Sequence, residues 1–131
     1  MIVVDSSALI AICLDEVERD QFMRAMDGAE RILVSSGTLI ETRMVAHNKG
    51  GTRLVEQLDN LLEAFAVDIV PADAEQAAIA HAAFLAYGKG RGHPAGLNFG
   101  DLFSYALAKA RGVPLLYKGA DFGRTDIPSA T

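Results

Sequence analysis

The 131-residue chain has one cysteine, no tryptophan and no surplus of positive charge. Cys13 stands alone inside the apolar run Ala8–Leu14, so it reads as a small core residue and excludes a disulfide framework. That usage agrees with a reducing, cytoplasmic setting. His47, His81 and His93 lack ligand spacing and have no second cysteine to join, which leaves no zinc site. They read as helix or loop residues, with His93 a candidate phosphate contact because its loop is basic. Without tryptophan, the aromatics Phe99, Phe103 and Tyr105 fall at helical spacing and read as core or dimer contacts rather than base-stacking platforms. Twelve Lys and Arg against 17 Asp and Glu give a formal charge of −5, which argues against broad electrostatic capture of nucleic acid. The apolar start Met1–Val4 has no basic segment before it and is interrupted at Asp5, so neither a signal peptide nor a membrane span is expected. Internal repeats, linkers and low-complexity stretches are also missing, and the length suits a single domain over residues 1–131.

Half of the residues are hydrophobic and 22% charged, the composition of a well-buried globular protein. Ile2–Val4 is short and β-branched, as in a strand buried on both faces of a parallel sheet. A helix should follow from Ser6 or Ser7, capped by Asp5 or a serine hydroxyl. A second is expected over Val17–Met26, ending near Gly28, followed by a strand at Arg31–Val34. Thr38–Glu41 has capping-box spacing and is expected to open a helix to about His47, before a turn at Gly50-Gly51. Leu54, Val55, Leu58, Leu61, Leu62 and Phe65 then trace one apolar helix face. Val67–Pro71 reads as strand three, and Asp73 with Gln76 caps a helix to Tyr87. Residues 88 to 96, with four glycines among Lys89, Arg91 and His93, read as a mobile basic loop. Asn98–Asp101 forms a second capping box, opening a helix to Arg111 that stops at Gly112. Leu115–Tyr117 is strand four, and Ile127 marks a last edge strand. Alternating strands and helices imply an α/β fold with a mostly parallel sheet of four to five strands and helices on both faces.

Four acids, Asp5, Glu41, Asp101 and Asp121, each lie where an apolar run yields to a loop or helix start. Singly, each has an ordinary explanation: Asp5 as an N-cap, Glu41 and Asp101 as capping-box acids, Asp121 as a turn residue. Jointly, the topology brings such junctions to one edge of the sheet, where ligands bind in open α/β folds. Two carboxylates about 4 Å apart repel by roughly 4 kcal/mol at an effective dielectric of 20, so several cannot stay ionised without a counter-charge. All-oxygen donors suit a hard divalent cation, Mg²⁺ or Mn²⁺. Neutralised there, the acids leave the remaining surface near neutral, and RNA stays open as a partner.

The blocks Val3-Val4-Asp5-Ser6-Ser7-Ala8-Leu9, Glu41 opening a helix, Asn98-Phe99-Gly100-Asp101-Leu102-Phe103-Ser104-Tyr105-Ala106-Leu107-Ala108 and Leu115–Ile127 closely resemble PIN-domain ribonucleases. Within these, the chain resembles the VapC toxins of type II VapBC toxin-antitoxin modules, from first strand to last. One departure is Ala120, where many relatives carry Asn or Asp. The resemblance implies a PIN-like fold, Asp5 and Asp101 as central Mg²⁺ ligands, and Glu41 and Asp121 completing the catalytic cluster. It further implies RNA as substrate, a cognate VapB antitoxin as inhibitor and a homodimer.

In such a site Asp5 and Asp101 hold the metal, and Glu41 or Asp121 orients the attacking water or takes its proton. Ser6 or Ser7 is either a second support for Asp5 or a plain cap. Lys118 and Arg124 flank the last acid and are weak candidates for phosphate contacts. Asp126 is a weaker fifth acid, and the loop 88–96 a weaker RNA contact. Three other readings compete. A receiver-like signalling domain would need paired acids after strand one and an aspartate at the end of strand three, yet Asp5 precedes two serines and Asp68 lies within its strand. A haloacid-type phosphatase lacks the second aspartate two residues on. A catalytically silent module that binds only RNA or antitoxin is the remaining alternative.

Overall fold

Three consecutive β-branched residues make Ile2–Val4 the strand β1, buried on both faces as its composition requires. The computed structural model describes residues 1–131. After β1 come α1 (Ser6–Cys13), α2 (Arg19–Asp27), β2 (Ile32–Ser35), α3 (Ser36–Ala64), β3 (Asp68–Val70), α4 (Ala74–Tyr87), α5 (Phe99–Arg111) and β4 (Leu115–Leu116), with a 3₁₀ turn at Phe122–Arg124. The four strands pair in parallel in the order β3-β2-β1-β4, with Val3 opposite both Leu33 and Leu115. The chain therefore walks outward from β1 to β3, then returns to the other side of β1. That reversal places a topological switch point between β1 and β4, outside whose C-terminal ends ligands bind in this architecture.

Alternation along the strands sorts the core into two layers. Ile2, Val4, Ile32, Val34 and Leu116 face α1, α2 and the second half of α3, where Leu58 is fully buried. Val3, Leu33 and Leu115 face α4 and α5, against Ala83, Tyr105 and Leu107. Each fully buried leucine contributes roughly 1.5–3 kcal/mol. Helices thus cover both faces, as the strand–helix alternation predicts. No helix is long and apolar enough to cross a membrane.

Local departures from the sequence reading have local causes. α3 begins at Ser36, capped by the Ser35 hydroxyl, so Thr38 and Glu41 sit inside the helix and form no capping box. The break expected at Gly50-Gly51 is present: Gly51 leaves helical geometry at φ 64° and ψ −156° and divides α3 into two helical halves that meet at a kink. A side chain there would meet no neighbour, so only the backbone angle calls for glycine. The expected fifth strand at Ile127 is reduced to a single bridge between Leu115 and Ser129, although Ile127 itself is buried. The glycine-rich loop after α4 is not free: Lys89 N donates to Leu97 O, Leu97 N to Tyr87 O, and Ala95 N to His93 Nδ1. His93 also meets the Tyr87 ring edge-on, which makes it a brace of this loop.

The C-terminal segment is clasped to α5 by Asp126, which accepts from Tyr105 Oη and Lys109 Nζ, each at 2.6 Å. The fifth acid therefore serves this clasp. Lys109 and Tyr105 hold the Asp126 carboxyl below its usual range, while burial first, and then Asp126, push the Tyr105 phenol up. Asp126→Asn is predicted to lower stability by about 1 kcal/mol at neutral pH, read by urea unfolding. The contribution of Asp126 is present above the unfolded carboxyl pKa of about 4 and is lost as pH falls below it, so parent and variant should converge in acid.

Candidate active site

Asp5 follows β1 directly and is 2% exposed. Its Oδ2 accepts from Ser7 N, capping α1, and its Oδ1 accepts from Ser104 Oγ at 2.5 Å. The capping explanation of Asp5 is thus correct, and it uses only one of two oxygens. Glu41 lies on the second turn of α3, half-buried, with Oε1 accepting from Ser6 Oγ at 2.7 Å. Asp101 is the third residue of α5, and the capping box with Asn98 is formed in both directions. Its Oδ2 accepts from Asn98 N. Asp121 is exposed, just before the 3₁₀ turn that follows β4.

Electrostatics registers their proximity. The Asp101 carboxyl is pushed up to about 6, chiefly by burial and further by the charges of Asp5, Glu41 and Asp121, against the backbone hydrogen bond from Asn98. All four acids therefore share one field at the C-terminal edge of the sheet. A raised carboxyl favours the folded state less once it ionises, so this group costs stability as pH rises from about 4 to about 6. The side chains do not form a ready-made cage: no three His, Cys, Asp or Glu groups stand close enough to grasp an ion. Donor chemistry nevertheless fits a hard cation, because all four groups offer carboxylate oxygen and crowd one another's charge.

The two basic residues beside the last acid are engaged elsewhere. Lys118 Nζ pairs with Glu16 and Glu18 at 3.1 and 3.4 Å, and those acids hold its ammonium pKa above the usual value. Arg124 Nη1 donates to Pro94 O, tying the segment after Asp121 to the glycine-rich loop. An apolar groove of about 420 Å³ runs up to Glu41, lined by Ile40, Met44, Phe99 and Phe103. Phe99 is 77% exposed there, so only Tyr105 of the three aromatics is a core residue.

A PIN-domain family model matches residues 2–128. Ribonuclease VapC30 of Mycobacterium tuberculosis is 46% identical over 95% of both chains. The chain belongs to the PIN-domain family, among its VapC ribonucleases. Ribonuclease VapC28 of the same organism is 41% identical over 98% of this chain and 96% of its own. Among solved structures, this PIN domain matches M. tuberculosis VapC20, a sarcin-ricin-loop-cleaving toxin, with TM-score 0.77 at 18% identity over 97% and 96% of the two chains. It also matches VapBC2 of Rickettsia felis bound to promoter DNA, with TM-score 0.73 at 17% identity over 98% and 96%. At those identities the structures attest the fold alone. The receiver-like alternative falls with this membership, and Asp68 lies on an edge strand paired with Arg31, away from the four acids.

Two residues of this PIN domain that sequence reasoning passed over complete the site. Ser104 is the donor to Asp5. Gly100 lets the Glu41 carboxylate lie against the first turn of α5, since a Cβ there would fall 1.7 Å from Glu41 Oε2. The capping-box spacing drew attention to Asp101 and away from its neighbour. Gly100→Ala is predicted to rotate Glu41 off Ser6, so that a crystal structure shows the pair beyond about 3.5 Å. Its melting temperature should change little, because alanine's helix preference, up to about 1 kcal/mol, offsets the displaced contact.

Proposed function

We propose that the chain is a metal-dependent endoribonuclease, the toxin of a type II toxin-antitoxin module, held inactive by a VapB-type antitoxin. The observation that carries this reading is the gathering of Asp5, Glu41, Asp101 and Asp121 into one field, with Asp101 raised to about 6 by burial and by the other three. Membership among the VapC ribonucleases supplies the reaction class, and the names of the relatives supply RNA as the substrate class. Mg²⁺ is the proposed cofactor, with Mn²⁺ as a substitute, on the strength of the all-carboxylate donor set. A cytoplasmic setting follows from a toxin that acts on cellular RNA.

In the proposed mechanism Asp5 and Asp101 hold the metal, each with lone pairs left after its cap hydrogen bonds. When bound, the cation neutralises the site, polarises the scissile phosphate and activates water for in-line displacement. Glu41, steered through Oε1 by Ser6, retains Oε2 to orient the attacking water or accept its proton. Asp121, the most solvated of the four, completes the charge and can pass a proton to bulk water. Arg124 keeps donors beyond its bond to Pro94 for a neighbouring phosphate, whereas Lys118 would have to leave Glu16 and Glu18 first. The proposed protein partners are a VapB-type antitoxin and a second copy of the chain.

Asp5→Asn keeps the size and the capping oxygen of the side chain but removes its charge. Cleavage of a single-stranded RNA in Mg²⁺ is predicted to fall by more than about 100-fold, beyond the loss typical of groups that only support ligands. The circular dichroism spectrum should be unchanged. Cleavage at the parent rate by folded Asp5→Asn would remove Asp5 from the site.

A further inference from the structure

Beneath the four acids lies a buried chain of hydroxyls that the mechanism above leaves unused. Ser104 and Thr38 are both 0% exposed. Ser104 Oγ contacts Asp5 Oδ1 at 2.5 Å and Thr38 Oγ1 at 3.0 Å. An ionised carboxylate can only accept, so the single Ser104 proton points at Asp5. Its lone pair must then receive the proton of Thr38, which fixes the direction of both bonds. Thr42 Oγ1 donates to Thr38 O at 2.6 Å and leaves the Thr38 hydroxyl free for this task.

The placement links the chain to the acids above it. Ser104 lies three residues after Asp101 on α5, and Thr38 three residues before Glu41 on α3, so each shares a helix face with its acid. The hydroxyls thus join the two helices and the end of β1 one turn below the site. With Ser7 N on Oδ2 and Ser104 Oγ on Oδ1, each Asp5 oxygen has one donor and one remaining lone-pair direction.

We propose that Ser104 and Thr38 are positioning residues, a directed hydroxyl relay that sets the Asp5 carboxylate for a divalent cation. This rests on the metal-site reading of Asp5. Buried donors of this kind raise the precision of a ligand without touching the metal, and their loss typically costs 10–100-fold in affinity. The sequence assigns neither residue this role: Thr38 draws notice only for its capping-box spacing, and Ser104 only as part of the block that follows Asp101.

The test titrates Mn²⁺ into the metal-free full chain by calorimetry, with thermal melts as a check on folding. Thr38→Val, which keeps the shape and removes the hydroxyl, and Ser104→Ala should each weaken Mn²⁺ binding by on the order of 10-fold. Thr38→Ser, which keeps the hydroxyl and removes the methyl, should retain parental affinity. Parental affinity in folded Thr38→Val overturns the relay, as does an equal loss in Thr38→Ser, which would assign the effect to packing. Should Ser104→Ala fail to fold, the Thr38 pair decides alone. A parent chain that binds no Mn²⁺ overturns the metal reading and the relay with it.

Discussion

Carboxylates that share a poorly solvated edge repel one another, and a fold that brings them together must hold each by contacts stronger than that repulsion. Here every site acid except the exposed Asp121 has at least one oxygen fixed by a hydrogen bond: Asp5 by Ser7 and Ser104, Glu41 by Ser6, Asp101 by Asn98. The remaining tension appears in Asp101, whose carboxyl rises to about 6. A cation resolves that tension by supplying the missing charge. The fold therefore carries crowded negative charge at this edge, and the proposed cation is what would offset it.

The scaffold serves this demand through close approach of α3 and α5. Gly100 admits the Glu41 carboxylate, and Gly37 admits the Phe103 ring, since a Cβ at Gly37 would lie 2.2 Å from it. Parallel strands set the ends of β1 and β4 side by side, and the reversal in strand order opens the crevice between them. Helix packing then brings Glu41 and Asp101 over that crevice. Distant segments meet because the two apolar layers, on opposite faces of one sheet, lock the helices in place.

Elements with strong local signals were legible in the sequence. The β-branched β1, the capped α5 with its Gly112 stop at φ 66°, and the apolar face from Leu54 to Phe65 appear where periodicity puts them. Where two local signals competed, the sequence misled: Thr38–Glu41 has capping-box spacing, yet Ser35 three residues earlier ends β2 and takes the cap. The four acids could be nominated because their junctions follow from topology. What their partners are could not, since Ser104–Asp5 spans 99 positions and leaves no local periodic trace. Nor does the sequence show that Lys118, a neighbour of Asp121 along the chain, pairs with Glu16 and Glu18 in space.

The central claim, that these four carboxylates serve one cation, is tested most directly by adding substoichiometric Mn²⁺ to protein labelled at its carboxyl carbons. Paramagnetic broadening should remove the signals of Asp5, Glu41, Asp101 and Asp121 together. Those of Asp59, Asp68 and Asp126, each engaged in an ion pair with a basic side chain, should stay sharp. Uniform broadening across all acids, or loss of signals from a different set, would contradict the shared site.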